Sequence, residues 1–232
     1  MAEETRLEDR GERPLRLAVL LGGGGSALQA LLDAERAGTL PATVAVVVSH
    51  RADAGGLRRA LDAGVAAAYL PPPPRRRRAG AEMDLFEDRL AGVLRPFAPD
   101  LVILAGWMLI LSARFLDAFP RAVLNLHPAL LPSDGGDTVG LRDGRRIPAL
   151  RGAHAVADAL AAGLATTGAT IHYAAPEVDR GPVLRAAEAP ILPGDSVDTL
   201  HARIKALEHR LLLETLTALW RGEVATTATG AT

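Results

Sequence analysis

Short apolar runs alternate with helix-like stretches along the first half of the chain. The apolar runs span residues 15–21, 43–49, 66–70, 101–105 and 122–126. Stretches with helical spacing lie between them, at residues 26–37, 56–63, 83–95 and 112–119. Continuous apolar runs of this length are typical of strands buried on both faces of a parallel sheet. The pattern predicts an α/β fold: an open, mostly parallel twisted sheet flanked by helices, with right-handed crossovers.

The second half of the chain has a different pattern. A polar, glycine-rich stretch covers residues 133–152, and a short helix is predicted from about His154. Strands are predicted at 167–173 and 183–189, and a long helix at 196–221. We therefore predict a single domain over residues 15–221 that carries an insertion at 133–152. Residues 1–14 and 222–232 are polar or small, and we expect them to be flexible.

Composition narrows the class of protein. Of 232 residues 49% are hydrophobic and 23% charged, which excludes a disordered, collagen-like or coiled-coil chain. The net charge of −1 gives no overall field for nucleic acid or an anionic membrane, and the lack of Cys excludes disulfides. Because no apolar run reaches the roughly 20 residues of a membrane span, we predict a soluble, cytoplasmic protein.

Residues 71–78 join four prolines to four arginines. Prolines favour an extended chain and like charges repel one another, so a solvated loop is the favoured interpretation. A contact with phosphate or nucleic acid is the alternative. Stacking on bases is not indicated, because no aromatic residue is interleaved with the arginines.

A glycine run, Gly22 to Gly25, separates the first predicted strand from the first predicted helix and is followed by Ser26. Glycines let the backbone approach a ligand closely, and a helix N-terminus offers N–H groups and partial positive charge to an anion. Ser26 is expected to cap the helix or to donate to a phosphate. The spacing matches neither a P-loop nor a full dinucleotide-binding motif. A phosphate site and a plain strand-to-helix turn both stay open.

Asn125 and His127 stand at the end of a predicted strand, where alternate residues project to the same side. Pro128 favours extended geometry at His127, and open parallel sheets bind ligands at the carboxyl ends of their strands. An amide donor beside an imidazole can stabilise an oxyanion and transfer a proton, as acyl transfer requires. The alternative is a histidine that merely caps the strand.

Asp179 lies in a loop with glycine and proline between two predicted strands. An aspartate in such a loop can simply form a turn. Near His127, its carboxylate would instead fix the tautomer of the imidazole and stabilise its protonated form. Both interpretations stay open.

Four segments carry a resemblance to a known family. They are residues 23–26 (GGGS), 104–108 (LAGWM), 125–132 (NLHPALLP) and 179–182 (DRGP). In this order they resemble the phosphoribosylglycinamide formyltransferases of purine biosynthesis, over about residues 15–221. The resemblance implies a Rossmann-like formyltransferase fold. It also implies transfer of a formyl group from 10-formyltetrahydrofolate to the amine of glycinamide ribonucleotide, with no metal.

The resemblance implies catalytic roles for three polar residues and a supporting role for a fourth. Asn125, His127 and Asp179 match the family's catalytic set, and His172 matches a histidine that supports it. An amine would attack the formyl carbon while Asn125 and His127 donate hydrogen bonds to the oxyanion. Asp179 would keep His127 protonated and relay the proton of the amine through water.

The resemblance implies binding roles in the same way. The pterin of the donor is expected against the loop of Asp179 and against the segment Met108, Leu109, Ile110 and Leu111. The substrate phosphate is expected at Gly24, Gly25 and Ser26, with help from Lys205 and Glu208 in the last helix. The expected partners are these two small molecules, without nucleic acid or membrane, and a homodimer is an open alternative for the assembly.

Some positions depart from the family pattern. Ala27 replaces a usual asparagine, Leu109 replaces a common arginine in the pterin segment, and Met83 stands where an arginine often begins the helix. Residues 133–152 are longer than the family's turn, and we predict that they form a mobile flap near the catalytic cleft, with a passive surface insertion as the open alternative.

Three alternative functions stay open. A formyltransferase could act on another amine, in an amino sugar or an amino acid derivative. A 10-formyltetrahydrofolate hydrolase has the same catalytic residues but carries a further N-terminal domain, and about 14 residues precede the first strand here. The non-enzyme alternative is a module that binds folate or phosphate.

Overall fold

The structure is a computed structural model that describes residues 13–77 and 80–223. The chain divides into two compact units, with unit 1 ending at Val123 and unit 2 beginning at Leu124. Most of the predicted flexible segments, residues 1–12 and 224–232, lie outside the described residues. The single domain over residues 15–221 stays a prediction.

Unit 1 alternates strands with helices. Its strands are β1 (Leu15–Leu21), β2 (Ala42–Ser49), β3 (Ala66–Tyr69) and β4 (Leu101–Ala105). Its helices are α1 (Ser26–Arg36), α2 (Gly55–Asp62), α3 (Ala81–Leu94) and α4 (Ala113–Ala118). The strand order is β3-β2-β1-β4, and every neighbouring pair is parallel. The boundaries agree with the sequence prediction to within two residues, because short apolar runs and helical periods are both local signals.

The strands at the centre of unit 1 are almost wholly buried. Leu17 and Leu20 of β1 and Ile103 of β4 have no exposed surface. Removing one such side chain from water contributes about 1.5–3 kcal/mol to stability. The prediction that all these strands are buried on both faces is wrong for β3. It is an edge strand paired with β2, and its Tyr69 is exposed.

The arginine-rich segment lies between β3 and α3. Residues 71–74 have no regular structure, and Arg75–Arg77 form one 3₁₀ turn with Arg75 and Arg76 exposed. This agrees with the predicted solvated loop, although Arg78 lies outside the described residues.

Antiparallel strands and a long helix make up unit 2. The antiparallel strands are β5 (Val123–His127), which begins at the unit boundary, β8 (Thr166–Tyr173) and β9 (Val183–Pro190), in that order. The helices are α5 (Ala155–Ala161) and α6 (Val197–Trp220), and α6 packs against β8 and β9. A capping box formed by Ser196 and Thr199 begins α6 where the sequence predicts it.

Residues 133–152 form a hairpin, an element that the sequence pattern did not predict. Its strands are β6 (Thr138–Gly140) and β7 (Arg146–Pro148), paired antiparallel. Val139 and Leu141 pack against Leu130, with Ile147 beside them. Apolar residues alternate on both strands, but each strand has only three residues, so the alternation is too short to stand out from the polar sequence around it.

In the part of the chain that the structure describes, no helix combines the length and the hydropathy needed to cross a bilayer.

Candidate active site

The pairing of β5 with β8 positions the first two polar residues of the site. Asn125 lies opposite His172, and His127 lies opposite Thr170. Side chains of directly opposed residues share one face of a sheet. The Asn125 amide Nδ2 is accordingly 3.0 Å from His172 Nε2. His172 Nδ1 donates to the carbonyl of Tyr173 at 2.8 Å, which holds the ring in place.

Thr170 is a residue of this region that sequence reasoning missed. Its hydroxyl donates to the carbonyl of Ala129 at 2.8 Å and accepts from the N–H of Leu131 at 3.1 Å. These bonds tie the chain that follows His127 to β8. A threonine inside a strand has no sequence signal that distinguishes this role from ordinary strand preference.

Asp179 lies at the centre of the site. One of its carboxylate oxygens, Oδ1, accepts from Asn125 Nδ2 at 3.2 Å and lies 3.5 Å from His172 Nε2. The other, Oδ2, accepts from the N–H of Gly152 at 2.7 Å and lies 3.3 Å from His127 Nδ1. The structure thus brings Asn125, His127 and His172 together around the carboxylate of Asp179, so the four residues that the sequence singled out form one cluster.

The loop that carries Asp179 has a constrained backbone. Asp179 has a φ of +54°, in the left-handed region that aspartate tolerates better than most residues. Two residues later, a Cβ at Gly181 would lie 1.8 Å from the carbonyl oxygen of Tyr173, so only glycine fits. The N–H of Tyr173 donates to the carbonyl of Pro182 at 2.9 Å and closes the loop.

Electrostatics keep Asp179 ionised. Burial alone would raise the pKa of this carboxyl, but the His172 imidazole, the electrostatic interaction with His127 and the N–H of Gly152 outweigh it. The pKa of Asp179 is lowered to about 2. A negative charge is therefore present in the site at any pH at which an enzyme would be assayed.

His127 is a buried imidazole between two acceptors. Its Nε2 is 2.7 Å from the carbonyl oxygen of Leu150, and its Nδ1 faces Asp179. Burial lowers the pKa of His127 below its ordinary value, and the opposing effect of the Asp179 carboxylate is smaller. The expectation that Asp179 keeps His127 protonated is therefore corrected: the environment favours a neutral ring, because desolvation of the cation outweighs its attraction to the carboxylate.

The glycine turn of unit 1 lies between β1 and α1. Gly25, with a φ of +74°, occupies the N-cap position, and α1 begins at Ser26; the expectation that Ser26 is the cap is wrong. A Cβ at Gly25 would lie 2.6 Å from the Cα of Gly56, whereas Gly23 and Gly24 have open space. Arg59 of α2, which sequence reasoning missed, donates from Nε to the carbonyl of Gly24 at 2.7 Å.

The segment expected to hold the pterin follows β4, also in unit 1. Met108 and Ile110 are 60% and 67% exposed, whereas Leu109 and Leu111 are buried. Only the first pair of side chains is therefore free to contact a ligand. Since β1 and β4 are parallel neighbours, this segment and the glycine turn leave the same edge of the sheet.

Glu87 anchors the end of that segment, and sequence reasoning missed it as well. Its carboxylate is buried and accepts from the N–H of Ser112 at 2.8 Å and from the Ser112 hydroxyl. Ser112 in turn caps α4. A glutamate in an amphipathic helix is normally assigned to the solvent face, so only the fold reveals this contact.

Lys205 and Glu208 lie on α6 of unit 2, three residues apart. Glu208 is buried, and burial raises its pKa to about 7, against the opposing charge of Lys205. Among the described residues, no group of three or more His, Asp or Glu side chains has the arrangement of a metal site.

The chain is similar to known proteins in sequence. The family model for formyl transferases matches residues 15–216. Phosphoribosylglycinamide formyltransferase from Mycobacterium tuberculosis (strain CDC 1551 / Oshkosh) is 39% identical over 207 residues, 89% of this chain and 85% of that protein. Bovine trifunctional purine biosynthetic protein adenosine-3 is 34% identical over 209 residues, 90% of this chain but 19% of that protein.

A solved structure supports the same relationship. Glycinamide ribonucleotide transformylase 1 from Symbiobacterium toebii has a TM-score of 0.77 and 39% sequence identity, covering 92% of this chain and 90% of that chain. The open, mostly parallel α/β class predicted from the sequence is confirmed.

Proposed function

We propose that this chain, which belongs to the phosphoribosylglycinamide formyltransferase family, transfers the formyl group of 10-formyltetrahydrofolate to the amine of glycinamide ribonucleotide in purine biosynthesis. The observation that supports this most is the cluster of Asn125, His127 and His172 around the Asp179 carboxylate. An amide donor, an imidazole and a fixed negative charge are the groups that acyl transfer to an amine requires.

The first step forms a bond between the amine nitrogen and the formyl carbon. The carbonyl oxygen becomes an oxyanion, and Asn125 Nδ2 with His127 Nε2 are the donors assigned to it. In the present arrangement Nδ2 faces His172 and Asp179, and Nε2 faces the Leu150 carbonyl. The formyl oxygen must therefore replace one of these acceptors at each donor.

The proton lost by the attacking amine goes to His127. A neutral imidazole has one N–H and cannot donate to both Asp179 and Leu150, whereas an imidazolium can. Once the formyl oxygen has replaced the Leu150 carbonyl at Nε2, the oxyanion and the Asp179 carboxylate are the two acceptors that stabilise the imidazolium. Collapse of the tetrahedral intermediate breaks the bond to the folate nitrogen, which takes that proton from His127 as it leaves, so the imidazole is neutral again at the end of the reaction.

Binding is assigned to separate parts of the chain. The N–H groups at Gly24, Gly25 and Ser26, at the start of α1, suit a phosphate. Exposed Met108 and Ile110 suit the flat pterin ring. Lys205 and Glu208 are assigned a supporting role in binding the substrate phosphate. A cytoplasmic location, a homodimer and the lack of nucleic-acid, membrane and metal partners stay predictions.

The decisive experiment incubates the full chain with 10-formyltetrahydrofolate and glycinamide ribonucleotide and follows both tetrahydrofolate and the formylated product. We expect the two products in equal amounts. Tetrahydrofolate without the amine substrate would indicate a hydrolase instead, and formylation of an amino sugar or an amino acid derivative alone would indicate another acceptor. Binding of folate without turnover would overturn the enzymatic proposal.

A further inference from the structure

The hairpin at residues 133–152 contacts the catalytic loop through one carboxylate. Asp137 Oδ1 accepts from Arg180 Nη2 at 3.0 Å and from Arg151 Nη1 at 3.1 Å. The same two guanidinium groups donate to backbone carbonyls beside it: Arg180 Nη1 to Gly135 at 2.6 Å, and Arg151 Nη2 to Gly136. Asp137 is thus the shared acceptor of two arginines.

Each of these arginines is the chain neighbour of a group in the site. Arg180 follows Asp179 directly, and Arg151 precedes Gly152, whose N–H donates to the Asp179 carboxylate. Arg151 itself follows Leu150, whose carbonyl faces His127 Nε2. The contacts of Arg180 and Arg151 with Asp137 therefore restrain the backbone on either side of groups that contact Asp179 and His127.

The catalytic loop needs such a restraint. Asp179 has a left-handed backbone, a conformation that persists only where the surroundings hold it. Its side chain must satisfy four contacts at once, to Asn125, His127, His172 and Gly152. Positioning of reacting groups is sensitive to displacements of about 1 Å.

Asp137 is itself held in place. Its carbonyl accepts from the N–H of Ala149 at 2.9 Å, and the following strands carry Val139 and Leu141 onto Leu130. Exposed ion pairs contribute little individually, and the Asp137 side chain is 80% exposed, but the Arg151 side chain is mostly buried and one carboxylate links two guanidinium groups. The hairpin is thus anchored on one side by apolar packing and on the other by this network.

We propose that Asp137 is a positioning residue for the formyl transfer: through Arg180 and Arg151 it holds Asp179 and Gly152 in their positions relative to His127. This rests on the proposed function for its kinetic readout. The hairpin thus holds the catalytic aspartate in position, and the binding of substrates does not depend on the hairpin directly.

The first test compares Asp137→Ala with Asp143→Ala. Asp143 lies in the same hairpin but bonds to Arg145 beside it, so it is a matched control. We expect Asp137→Ala to lower kcat by about 10-fold, while the KM values for both substrates stay within about twofold of the wild-type values. Asp143→Ala should retain wild-type kcat, and the two variants should melt at similar temperatures.

The second test is a double-mutant cycle with Arg180→Ala. Because Asp137 also accepts from Arg151, the double variant should lose less kcat than the sum of the two single losses, without matching either single variant. Additive losses would overturn the proposal, as would a wild-type kcat in Asp137→Ala. Asp137→Asn, which keeps the shape and removes the charge, gives the same comparison if the alanine variant folds poorly.

A titration of the His127 ring by NMR separates this inference from the proposed function. In Asp137→Ala the Asp179 carboxylate is less well held and Arg151 loses its partner charge, so both effects lower the pKa of His127. We expect a shift of the midpoint to lower pH that exceeds the shift in Asp143→Ala, which removes an equal charge from the same hairpin and leaves the contacts of Arg180 and Arg151 in place. An unchanged midpoint would overturn the positioning role of Asp137, even if the wild-type chain formylates some other amine.

Discussion

At the scale of single residues, the site depends on one buried carboxylate. Asp179 binds Gly152 and Asn125, faces His127 and His172, and stays ionised because these partners together outweigh the cost of its burial. This arrangement gives the residues two different roles. Asn125 and His127 are assigned to stabilise the oxyanion, and Asp179 is assigned to stabilise the imidazolium of His127.

Replacing the oxyanion donors should reduce turnover without unfolding the chain. Asn125→Ala and His127→Ala should each lower kcat by about 10²–10³, the usual effect of losing one such donor. Steady-state kinetics with glycinamide ribonucleotide measures this, with the melting temperature as the control for folding. Unchanged turnover in either variant would remove that residue from the mechanism.

Asp179→Asn tests the charge separately from the shape. The carboxylate raises the pKa of His127, so its loss should lower that pKa further and leave no partner for the imidazolium. We expect kcat to fall while both KM values change little, since the group acts mainly in the transition state. Wild-type activity from about pH 6 to 9 would contradict the Asp179–His127 pairing.

At the scale of elements, strand pairing and turns place these residues. The β5–β8 register sets Asn125 opposite His172, and the loop after β8 returns Asp179 to the same end of β5. In unit 1 the glycine turn is pressed against the start of α2, where the N–H of Gly56 donates to the carbonyl of Gly23 at 3.1 Å. The mobile flap stays a prediction, although the hairpin at residues 133–152 is anchored by its apolar residues.

Gly25→Ala tests the glycine turn, with Gly23→Ala as the matched control. A methyl group at Gly25 meets a positive φ and the Cα of Gly56, whereas at Gly23 it meets open space. We expect Gly25→Ala to cost about 2 kcal/mol of stability and to raise the KM for glycinamide ribonucleotide more than that for 10-formyltetrahydrofolate. Equal rises for both substrates would indicate general misfolding rather than loss of the phosphate site.

At the scale of the whole molecule, buried carboxyl groups make stability depend on pH in opposite directions. The pKa of Asp179 is lowered, so its contribution is present above the ordinary pKa and is lost as the pH falls towards about 2. The pKa of Glu208 is raised to about 7. The unfolded chain releases that proton near pH 4.5, so the contribution of Glu208 is full below that pH and is lost as the pH rises through 7.

Glu208→Gln should therefore stabilise the protein at alkaline pH. We expect the variant and the wild type to melt together near pH 4.5 and to diverge above it, by on the order of 3 kcal/mol at pH 8. Thermal unfolding across this range measures the difference. Glu214→Gln is the control, because Glu214 lies on the same helix but is partly exposed beside Arg210. Parallel pH profiles for the wild type and Glu208→Gln would contradict the assignment.

Much of the fold could be predicted because its signals are local. The run Leu15–Leu21 and the helical spacing after Gly25 predict β1 and α1 with nearly their observed ends. Asn125 and His127 could be proposed as a pair because residues two apart in a strand share a face. Their partner Asp179 could only be suggested, since 52 positions of chain separate it from His127 and no local pattern encodes that distance.

The sequence by itself determined the order of strands and helices outside the hairpin at residues 133–152, the first set of candidate residues and the family, because periodicity and motifs are properties of neighbouring positions. Only the tertiary structure revealed that the pKa of His127 is lowered, that Gly25 caps α1 and that two arginines donate hydrogen bonds to Asp137. Each of these depends on burial or on contacts between distant residues: desolvation makes His127 neutral, and the approach of Gly56 leaves room only for glycine at position 25. Such quantities exist only once the chain has folded, so no pattern along it could have revealed them.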